Sequence, residues 1–502
     1  MSPFFNSVYK NSLTLLTDFY QLTMAYGYWK SGLAEKESVF QLYFRKNPFK
    51  SGYTVASGLE LAIEYINNFK FNDDDIGYLK TLKGNDDKCL FDNNFLNYLK
   101  NLKFTCSLHA VPEGTVVFPN EPILRISGSL LQCQLLETPL LNIINFHSLI
   151  STKAARIVSV ANGHPVLELG LRRAQGIDGA LSASRAAFIG GCLGTSNTLA
   201  GKIFGIPVKG THSHSWVMAF ENELESFYAL AHAMPNNVIL LVDTYNTIEG
   251  IKKAIEIGNW LKSKNKKLTG IRLDSGDLAY LSIEARKLLD EAGFRDTIIV
   301  ASNDLNEHVI SSLNEQKSAI TTWGVGTQLV TAFDEPALGA VYKLTAIKNN
   351  DNTWKYCIKL SEQSIKISTP GILQVRRFQN KSQFFADMIF DELNPPQNNS
   401  VPIIDPEDPN RFYNAPANSS YEDILKPIFI NGKLIYQSPS LQDIQSYAFK
   451  MREMFHPSIK RLLNPHNYPA GLEKNLHDLK MKLIRESKVN VEMNKDSHHS
   501  HL

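Results

Sequence analysis

The chain has 502 residues, enough for more than one hydrophobic core, because single cores stop growing near roughly 250 to 300 residues. Its 52 Lys and Arg residues nearly balance its 50 Asp and Glu residues. The chain therefore lacks the global positive field that holds nucleic acid or an acidic membrane, and any anion site must be local.

Cysteine usage and the first residues indicate the compartment. The five cysteines are Cys89, Cys106, Cys133, Cys192 and Cys357. They lack C-x-x-C spacing, which argues against a zinc ribbon or a secreted disulfide framework and favours a reducing, cytoplasmic compartment. The opening MSPFFNSVYKNS does not resemble a signal peptide, and no run approaches the roughly 18 apolar residues of a membrane helix. We therefore expect neither a nucleic-acid nor a membrane partner.

The two ends of the chain predict one α+β domain. Residues 1–139 predict a helix over Asp18 to Lys30, further helices, and strands over Ser38 to Tyr43, Thr115 to Phe118 and Ile123 to Ile126. Residues 345–502 add strands over Trp354 to Leu360 and Gly432 to Tyr436. We expect these two parts to form a mostly antiparallel unit, with a Pro- and Asn-rich surface loop over 395–419 and a frayed tail, KDSHHSHL.

Residues 140–344 repeat a short apolar run, a polar or Gly-rich turn and a helical pattern. The runs are His164 to Leu169, Ile206 to Val208, Val238 to Val242, Leu268 to Leu273, Thr297 to Ala301 and Ala319 to Val325. Alternating βα units predict a parallel sheet, and so many within about 200 residues favour an irregular (β/α) barrel. The predicted fold class is therefore α/β, with this barrel as the catalytic domain.

Polar residues follow the predicted barrel strands. They are Glu168, His214, Asp243, Asp274, Asn303 and the loop from Gly324 to Thr327. In (β/α) barrels the loops after the strands converge at one face, which carries the active site. We expect a single site that collects these side chains.

The segment from Glu168 to Ser215 has the features of a phosphate site. Two turns, Gly190-Gly191 and Gly194 to Asn197, can present backbone N–H groups, and Arg172, Arg173 and Arg185 offer guanidinium groups. The expected ligand carries several phosphates.

His214, in GTHSHSWV, is the candidate nucleophile, because a neutral imidazole near pH 7 can be transiently phosphorylated. A purely structural role is the more frequent outcome for a single histidine after a strand. A metal site with His212 is a further alternative, but it lacks an obvious third ligand nearby.

Arg272, Asp274 and Asp277, in RLDSGD, allow two interpretations each. The carboxylates can hold ribose hydroxyls or the Mg²⁺ of a diphosphate, or they can cap the following helix. Arg272 either binds an anionic ligand or pairs internally with a carboxylate. Ser302 and Asn303 are candidates either for the site or for a turn.

The order of the motifs resembles the nicotinate phosphoribosyltransferase family. The motifs are TDFYQLTMAYGYW, FRKNPF, LLNIINFHSLISTKAARI, GTHSHSWV, LLVDTY, GIRLDSGDL, ASNDLNE, WGVGTQLVTA and PALGAVYKL, from about Thr17 to Phe378. No single motif is decisive, but their order and coverage make the resemblance specific.

The resemblance implies roles for individual residues. The family's phosphohistidine is His214, and Asp274 is the second catalytic candidate. The implied nicotinate-binding residues are Tyr20, Thr211, Ser215 and Arg272, and those for 5-phosphoribosyl 1-diphosphate (PRPP) are Arg172, Asn303, Gly326 and Thr327. The family supplies the tyrosine across a homodimer interface, so we expect two subunits to share each active site.

The implied reaction joins nicotinate to PRPP, giving nicotinate mononucleotide and pyrophosphate, with ATP hydrolysis coupled through the phosphohistidine. Mg²⁺ is expected with both phosphate substrates, and its direct protein ligands are not identified by the sequence. Nicotinamide-specific relatives place an Asp where this chain has Ser215, so Ser215 favours nicotinate. The alternatives are a nicotinamide or quinolinate phosphoribosyltransferase and a catalytically silent scaffold.

Overall fold

A computed structural model describes residues 13–361, 363, 366–380, 382–397, 401–406 and 408–499, with side chains as far as 488. The chain divides into two compact units. One unit comprises the described residues up to Leu149 and those from Ala337 onward, and the other comprises Ile150–Pro336. The N-terminal segment MSPFFNSVYKNS lies outside the described residues.

The part of the chain up to residue 160 mixes helices with antiparallel strands. Its helices are α1 (Phe19–Lys30), α2 (Leu59–Asn67), α3 (Asp73–Thr81), α4 (Asn93–Asn101), α5 (Leu130–Leu135) and α6 (Glu137–Val160). Its strands are β1 (Glu37–Tyr43), β2 (Thr54–Val55), β3 (Ser107–Ala110), β4 (Val116–Val117) and β5 (Leu124–Ser129). Local sequence explains several ends: Asn72 and Asp75 form a capping box at α3. The helix predicted over Asp18 to Lys30 is present, with Asp18 at its N-cap.

The second unit alternates strands and helices. The strands are β6 (Val166–Glu168), β7 (Gly194–Thr195), β8 (Ile239–Leu241), β9 (Gly270–Leu273), β10 (Ile298–Ala301) and β11 (Thr322–Val325). The helices after α6 are α7 (Gly176–Gly190), α8 (Thr198–Phe204), α9 (His214–Met218), α10 (Glu223–Ala233), α11 (Thr247–Ser263), α12 (Leu278–Glu291), α13 (Glu307–Glu315) and α14 (Thr327–Val330).

These six strands form one parallel sheet in the order β7-β6-β11-β10-β9-β8. Ile271, Leu273 and Trp323 on one face and Val300 on the other are all buried, as expected for strands covered on both faces. The predicted parallel α/β sheet is confirmed.

The predicted closure of this sheet into a barrel is not found. Among the described residues, the outer strands β7 and β8 do not pair with each other. The run Ile206 to Val208 was expected to be a strand, but only Val208 makes an isolated bridge, to Thr195. The chain between Val208 and His214 meets β8 through the side chain of His212, as described below.

The C-terminal part returns to antiparallel strands. They are β12 (Val341–Lys348), β13 (Trp354–Tyr356), β14 (Leu373–Gln379), β15 (Phe384–Asp391), β16 (Pro402–Ile404), β17 (Phe412–Asn414), β18 (Ser420–Asp423), β19 (Lys426–Ile430), β20 (Lys433–Leu434) and β21 (Ala470–Glu473). Two helices, α15 (Leu441–Glu453) and α16 (Lys474–His499), complete it.

The first unit contains two large sheets. The seven-stranded sheet combines strands from both ends of the chain, whereas the six-stranded sheet contains only strands of the C-terminal part. The seven-stranded sheet has the order β13-β12-β1-β5-β3-β19-β20 and is antiparallel throughout. The six-stranded sheet has the order β17-β16-β21-β15-β14-β18, with one parallel pair, β15 with β21. A small pair, β2 with β4, completes the set.

Three predictions about the C-terminal part and the boundaries need correction. Residues 395–419 are not a continuous loop, because β16 and β17 pair there and Ile403 is buried. The tail is helical as far as His499, while its side chains beyond 488 and residues 500–502 lie outside the description. The unit boundaries fall at Leu149/Ile150 and Pro336/Ala337 instead of 139/140 and 344/345, since β12 pairs with β1. Within the part of the chain that the structure describes, no helix is both long and apolar enough to span a membrane.

Adjacent arginines on β14 make ion pairs that differ in burial. Arg377 and Asp387 are 2% and 0% exposed, and the Tyr468 hydroxyl also donates to Asp387 at 2.9 Å. Arg376 donates two hydrogen bonds to Asp423, whose side chain is 36% exposed. A buried charge that loses its partner cannot recover the lost interaction from water, whereas an exposed charge can.

Asp387→Asn should lower the free energy of unfolding by about 3 to 5 kcal/mol, because it removes the carboxylate that pairs with the buried Arg377 guanidinium. Asp423→Asn, on the neighbouring arginine, is the matched control and should cost about 1 kcal/mol or less. Urea unfolding of both variants measures the difference. Equal losses would show that burial does not decide the strength of these pairs.

Candidate functional site

The site lies where the parallel strands of the second unit end. Arg272 lies on β9, with Asp274 directly after the strand, and Asp243 and Thr244 follow β8. His214 begins α9, preceded by Thr211 and followed by Ser215. Since the carboxyl ends of parallel strands meet at one edge, four predicted residues come into one network: Thr211, His214, Arg272 and Asp274.

Arg272 is the centre of this network. Its guanidinium donates to Ser302 Oγ at 2.8 Å, to Asp274 Oδ1 at 2.8 Å and to Thr211 Oγ1 at 3.2 Å. The side chain is only 14% exposed, so the partners hold the guanidinium in a defined orientation. Both sequence interpretations of Arg272 are thus compatible: it pairs with a carboxylate, and it still offers positive charge beside Thr211.

His214 is held on both ring nitrogens. Nδ1 lies 3.1 Å from Thr244 Oγ1, and Nε2 lies 3.6 Å from Asp274 Oδ2. A carboxylate next to Nε2 favours a proton on that nitrogen, so the Thr244 hydroxyl donates to Nδ1. This tautomer places the imidazole lone pair on Nδ1.

Asp243 shapes the turn that carries Asp274. Its Oδ2 accepts hydrogen bonds from the Asp274 backbone N–H at 2.8 Å and from Ser275 Oγ at 2.7 Å. Asp277 instead caps α12, accepting from the Tyr280 N–H at 3.0 Å. The two carboxylates of RLDSGD therefore have separate roles, one in the network and one in the helix cap.

The pKa of Asp274 is lowered. Burial alone raises the pKa of this carboxyl, but the hydrogen bond from Ser302 and the charge and hydrogen bond of Arg272 outweigh burial, and His214 adds to them. Asp274 is therefore a carboxylate at neutral pH. In that form it can stabilise a cationic imidazole at His214.

Residues expected to bind phosphate follow other strands of the same sheet. Arg172 lies in a short 3₁₀ turn after β6, Asn303 follows β10, and Gly326 and Thr327 follow β11. Asn303 has a left-handed backbone, with φ of 100°, and Thr327 opens α14. The structure shows no direct contact between these residues and His214, so their assignment to phosphate stays a prediction.

The two glycine turns expected to bind phosphate are instead engaged in contacts within the protein. Gly190 ends α7, where a Cβ would meet Ala154 Cβ at 2.4 Å. The Thr195 N–H donates to Pro207 O, and the Ser196 N–H donates to Glu168 O. These groups are therefore structural, and the prediction that both turns present N–H groups to phosphate is wrong.

Two charged residues of that segment are also structural. Glu168 is 1% exposed and accepts hydrogen bonds from Ser184 Oγ at 2.8 Å, from Thr195 Oγ1 and from the Gly170 N–H. Arg185 is fully buried on α7, so it is not displayed to a ligand in solvent. Neither residue belongs to the network around Arg272.

Tyr20 and Ser215 lie outside this network. Tyr20 is on α1, in the other unit, with 48% of its surface exposed. The Ser215 hydroxyl bonds to Ser213 Oγ at 2.6 Å, and Ser215 is exposed. Their implied contacts with nicotinate remain predictions.

Sequence reasoning missed Thr244 and gave His212 no clear role. Thr244 follows Asp243 at a predicted strand end, which was the available signal. The His212 ring accepts a hydrogen bond from the Leu241 N–H at 2.9 Å, so this nitrogen is engaged by backbone. Among the described residues, no group of three or more His, Cys, Asp or Glu side chains could hold a metal ion.

Thr244→Val should release His214 Nδ1, because valine has the size of threonine but cannot donate a hydrogen bond. With ¹⁵N-labelled histidine, the Nδ1 resonance of His214 should move towards that of a ring nitrogen without a donor. Thr247→Val, at the start of α11, is the control and should leave it in place. An unchanged Nδ1 resonance in Thr244→Val would show that Thr244 does not orient the ring.

Three family models match consecutive parts of the chain. They are the nicotinate phosphoribosyltransferase N-terminal domain over residues 15–145, the nicotinate phosphoribosyltransferase family over residues 166–381 and the corresponding C-terminal domain over residues 374–480. Together they cover both units.

Proteins of similar sequence are named nicotinate phosphoribosyltransferases. The chain is 44% identical to the nicotinate phosphoribosyltransferase of Bacillus subtilis, over 96% of this chain and 97% of that protein, and 37% identical to that of Dictyostelium discoideum, over 92% and 87%. The crystal structure of human nicotinic acid phosphoribosyltransferase aligns with a TM-score of 0.81 at 29% identity, covering 93% of this chain and 99% of the human chain. Nicotinate-nucleotide pyrophosphorylase from Pyrococcus furiosus, at 22% identity and a TM-score of 0.67 with 88% and 96% covered, shares the fold. The chain therefore belongs to the nicotinate phosphoribosyltransferase family.

Proposed function

We propose that the protein transfers the phosphoribosyl group of PRPP to nicotinate, forming nicotinate mononucleotide and pyrophosphate, as the first step of NAD salvage from nicotinate. The transfer is coupled to ATP hydrolysis through phosphorylation of His214. The observation that carries this proposal is the convergence of His214, Asp274, Arg272 and Thr211 at one edge of the parallel sheet. The five cysteines, all free thiols, fit a cytoplasmic reaction.

Nicotinate carries a carboxylate, and Arg272 beside Thr211 supplies a cation and a hydroxyl for it. The exposed Ser215 adds a second hydroxyl without negative charge. An Asp at that position would repel the carboxylate, which is why Ser215 favours nicotinate over nicotinamide. We further propose that Tyr20 of a second copy stacks on the pyridine ring, in a homodimer with shared active sites.

PRPP is assigned to the residues that follow β6, β10 and β11. Arg172, Asn303, Gly326 and Thr327 offer a guanidinium, an amide, backbone N–H groups and a hydroxyl at the edge where the strands end. Mg²⁺ enters with PRPP and with ATP as part of these substrates. The transfer needs little covalent help, because pyrophosphate leaves while the pyridine nitrogen attacks ribose C1, so positioning and charge stabilisation suffice.

ATP coupling uses the tautomer of His214. The Nδ1 lone pair, once the Thr244 hydroxyl releases it, attacks the γ-phosphorus of ATP, and the bond from phosphorus to the bridging oxygen breaks, with ADP as the leaving group. Asp274, whose Oδ2 lies 3.6 Å from Nε2, compensates the positive charge that develops on the ring. Water later takes the phosphoryl group, which yields inorganic phosphate and the free histidine.

Incubation with γ-labelled ATP and Mg²⁺ should place an acid-labile, base-stable phosphate on His214. His214→Ala should abolish the label, whereas His232→Ala, a control on α10, should keep it. Mass spectrometry locates the phosphate, and nicotinate with PRPP should discharge it. Conversion of the substrates without any label would remove the coupling mechanism, and neither label nor conversion would favour a catalytically silent scaffold.

Arg272→Ala should raise the KM for nicotinate far more than that for ATP. The loss of a charged hydrogen bond costs about 1.5 to 3 kcal/mol, which corresponds to about tenfold to 100-fold in KM. Arg295→Ala, an exposed arginine before β10 at the opposite end of the sheet, is the control. Steady-state kinetics with each substrate varied in turn tests the prediction, and equal increases for nicotinate and ATP would contradict the role given to Arg272.

A further inference from the structure

The segment from Pro207 to His214 contacts both outer strands of the parallel sheet, β7 and β8. At the β7 edge the contact is made by backbone: the Thr195 N–H donates to Pro207 O at 3.0 Å, and the Lys209 N–H donates to Thr195 O at 2.9 Å. Gly194 permits this approach, because a Cβ there would come within 2.5 Å of the Pro207 oxygen. Backbone hydrogen bonds to β7 therefore fix the N-terminal end of this segment.

At the β8 edge the contact is made by a side chain. The Val242 N–H donates to Arg272 O, so the preceding Leu241 N–H points away from β9, towards the open edge. His212 Nε2 accepts this N–H at 2.9 Å. Since Leu241 is 1% exposed, its N–H needs an acceptor within the protein. The His212 imidazole is this acceptor, in place of the backbone carbonyl that a neighbouring strand would provide.

The hydrogen bonds of His212 fix its tautomer. Nε2 must carry a lone pair to accept from Leu241, and Nδ1 lies 3.2 Å from Ser213 O, to which it can donate. Both contacts are made by the neutral ring with its proton on Nδ1. A protonated ring would turn Nε2 into a donor facing the Leu241 N–H, so this contact would be lost.

The contact between His212 and the Leu241 N–H, called the anchor below, lies close in the chain to two residues of the site. Thr211 precedes His212 and accepts from Arg272, which also donates to His212 O at 3.5 Å. His214 follows two residues later, with Thr244 on Nδ1. A shift of the anchor would therefore displace Thr211 and His214 together.

We infer that His212 is a positioning residue: its neutral imidazole ties the segment that carries Thr211 and His214 to the edge of β8. The inference rests on the proposed function for its kinetic consequences. His212 itself touches no reacting atom.

The groups that face His212 keep its ring neutral to a lower pH than that of an ordinary histidine. Burial lowers the pKa of His212, the hydrogen bond to Ser213 opposes this, and the charges of Arg272 on β9 and His214 on α9 lower the pKa further. Phe227 of α10 also packs near the ring and is uncharged. Because the pKa lies below its unfolded value, this contribution to stability is complete above the unfolded pKa and is lost as pH falls through the folded pKa.

The test compares two replacements of His212. In His212→Gln, the glutamine Oε1 reaches the position of Nε2 and can accept from Leu241, but it does not titrate. In His212→Leu, the Leu241 N–H loses its acceptor. The matched control is His164→Gln, before β6 at the opposite end of the sheet.

His212→Leu should lose roughly 100-fold in kcat, the cost of a small misplacement of reacting groups. It should also raise the KM for nicotinate but not that for PRPP, and it should slow labelling of His214 by γ-labelled ATP. His212→Gln should keep most of the activity and extend it to lower pH than the wild type, whereas His164→Gln should keep the wild-type pH profile. A purely structural role would lower kcat with every KM and the pH profile unchanged, and that result would overturn the inference.

A spectroscopic measurement separates failure of the inference from failure of the proposed function. In ¹⁵N-histidine-labelled wild-type protein, the resonances that vanish in His212→Gln belong to His212. They should show a proton on Nδ1 at neutral pH and titrate below pH 6.5, the ordinary value. A proton on Nε2 would overturn the inference even in an active enzyme, whereas the expected tautomer in a protein that converts no substrate would overturn only the proposed function.

Discussion

The ion pair between Arg272 and Asp274 is the interaction on which the rest of the site depends. The two residues lie two positions apart on a strand and the turn after it, so the pair forms within one βα unit. Through Arg272 it reaches Thr211, and through Asp274 it reaches His214. The same pair lowers the pKa of Asp274, which keeps a negative charge beside the histidine. A partly buried charge without a partner is destabilising, so each charged group of the network compensates the desolvation of the others.

The parallel sheet supplies the rigidity that this pair needs. Buried side chains such as Ile271, Leu273, Ile299 and Val300 fill both faces, so the strand ends cannot shift independently. The polar groups are then confined to the edge where the strands stop. Asp243 secures the turn after β9 by accepting from its backbone, which fixes Asp274 without contact to a ligand. The geometry of the site is thus set by contacts within the protein, as catalysis by positioning requires.

Sequence periodicity was sufficient to predict the α/β alternation and the placement of Asp243, Asp274 and Asn303 after strands, because apolar runs followed by polar turns are local signals. It was insufficient where the role of a residue depends on a distant partner. The two glycine turns have the composition of a phosphate loop, yet Ala154 and Pro207 occupy the space around them. Thr244 became recognisable only when α9 placed His214 beside it. The βα pattern likewise could not predict whether the sheet closes into a barrel, because closure depends on the path of the chain from Val208 to His214.

In the proposed mechanism, phosphorylation of His214 adds negative charge at the start of α9. The five residues of α9 are too few to form a stable helix alone, so tertiary contacts such as Trp216 Nε1 to Ser226 O at 3.1 Å hold it. A phosphoryl group on His214 would add about two negative charges within a few ångströms of Asp274. Like-charge repulsion raises the free energy of that state, which favours transfer of the phosphoryl group to water. Arg272, already bonded to Asp274, is a fixed cation that offsets this repulsion, so in the proposed mechanism the guanidinium that attracts nicotinate also influences how long the phosphohistidine persists.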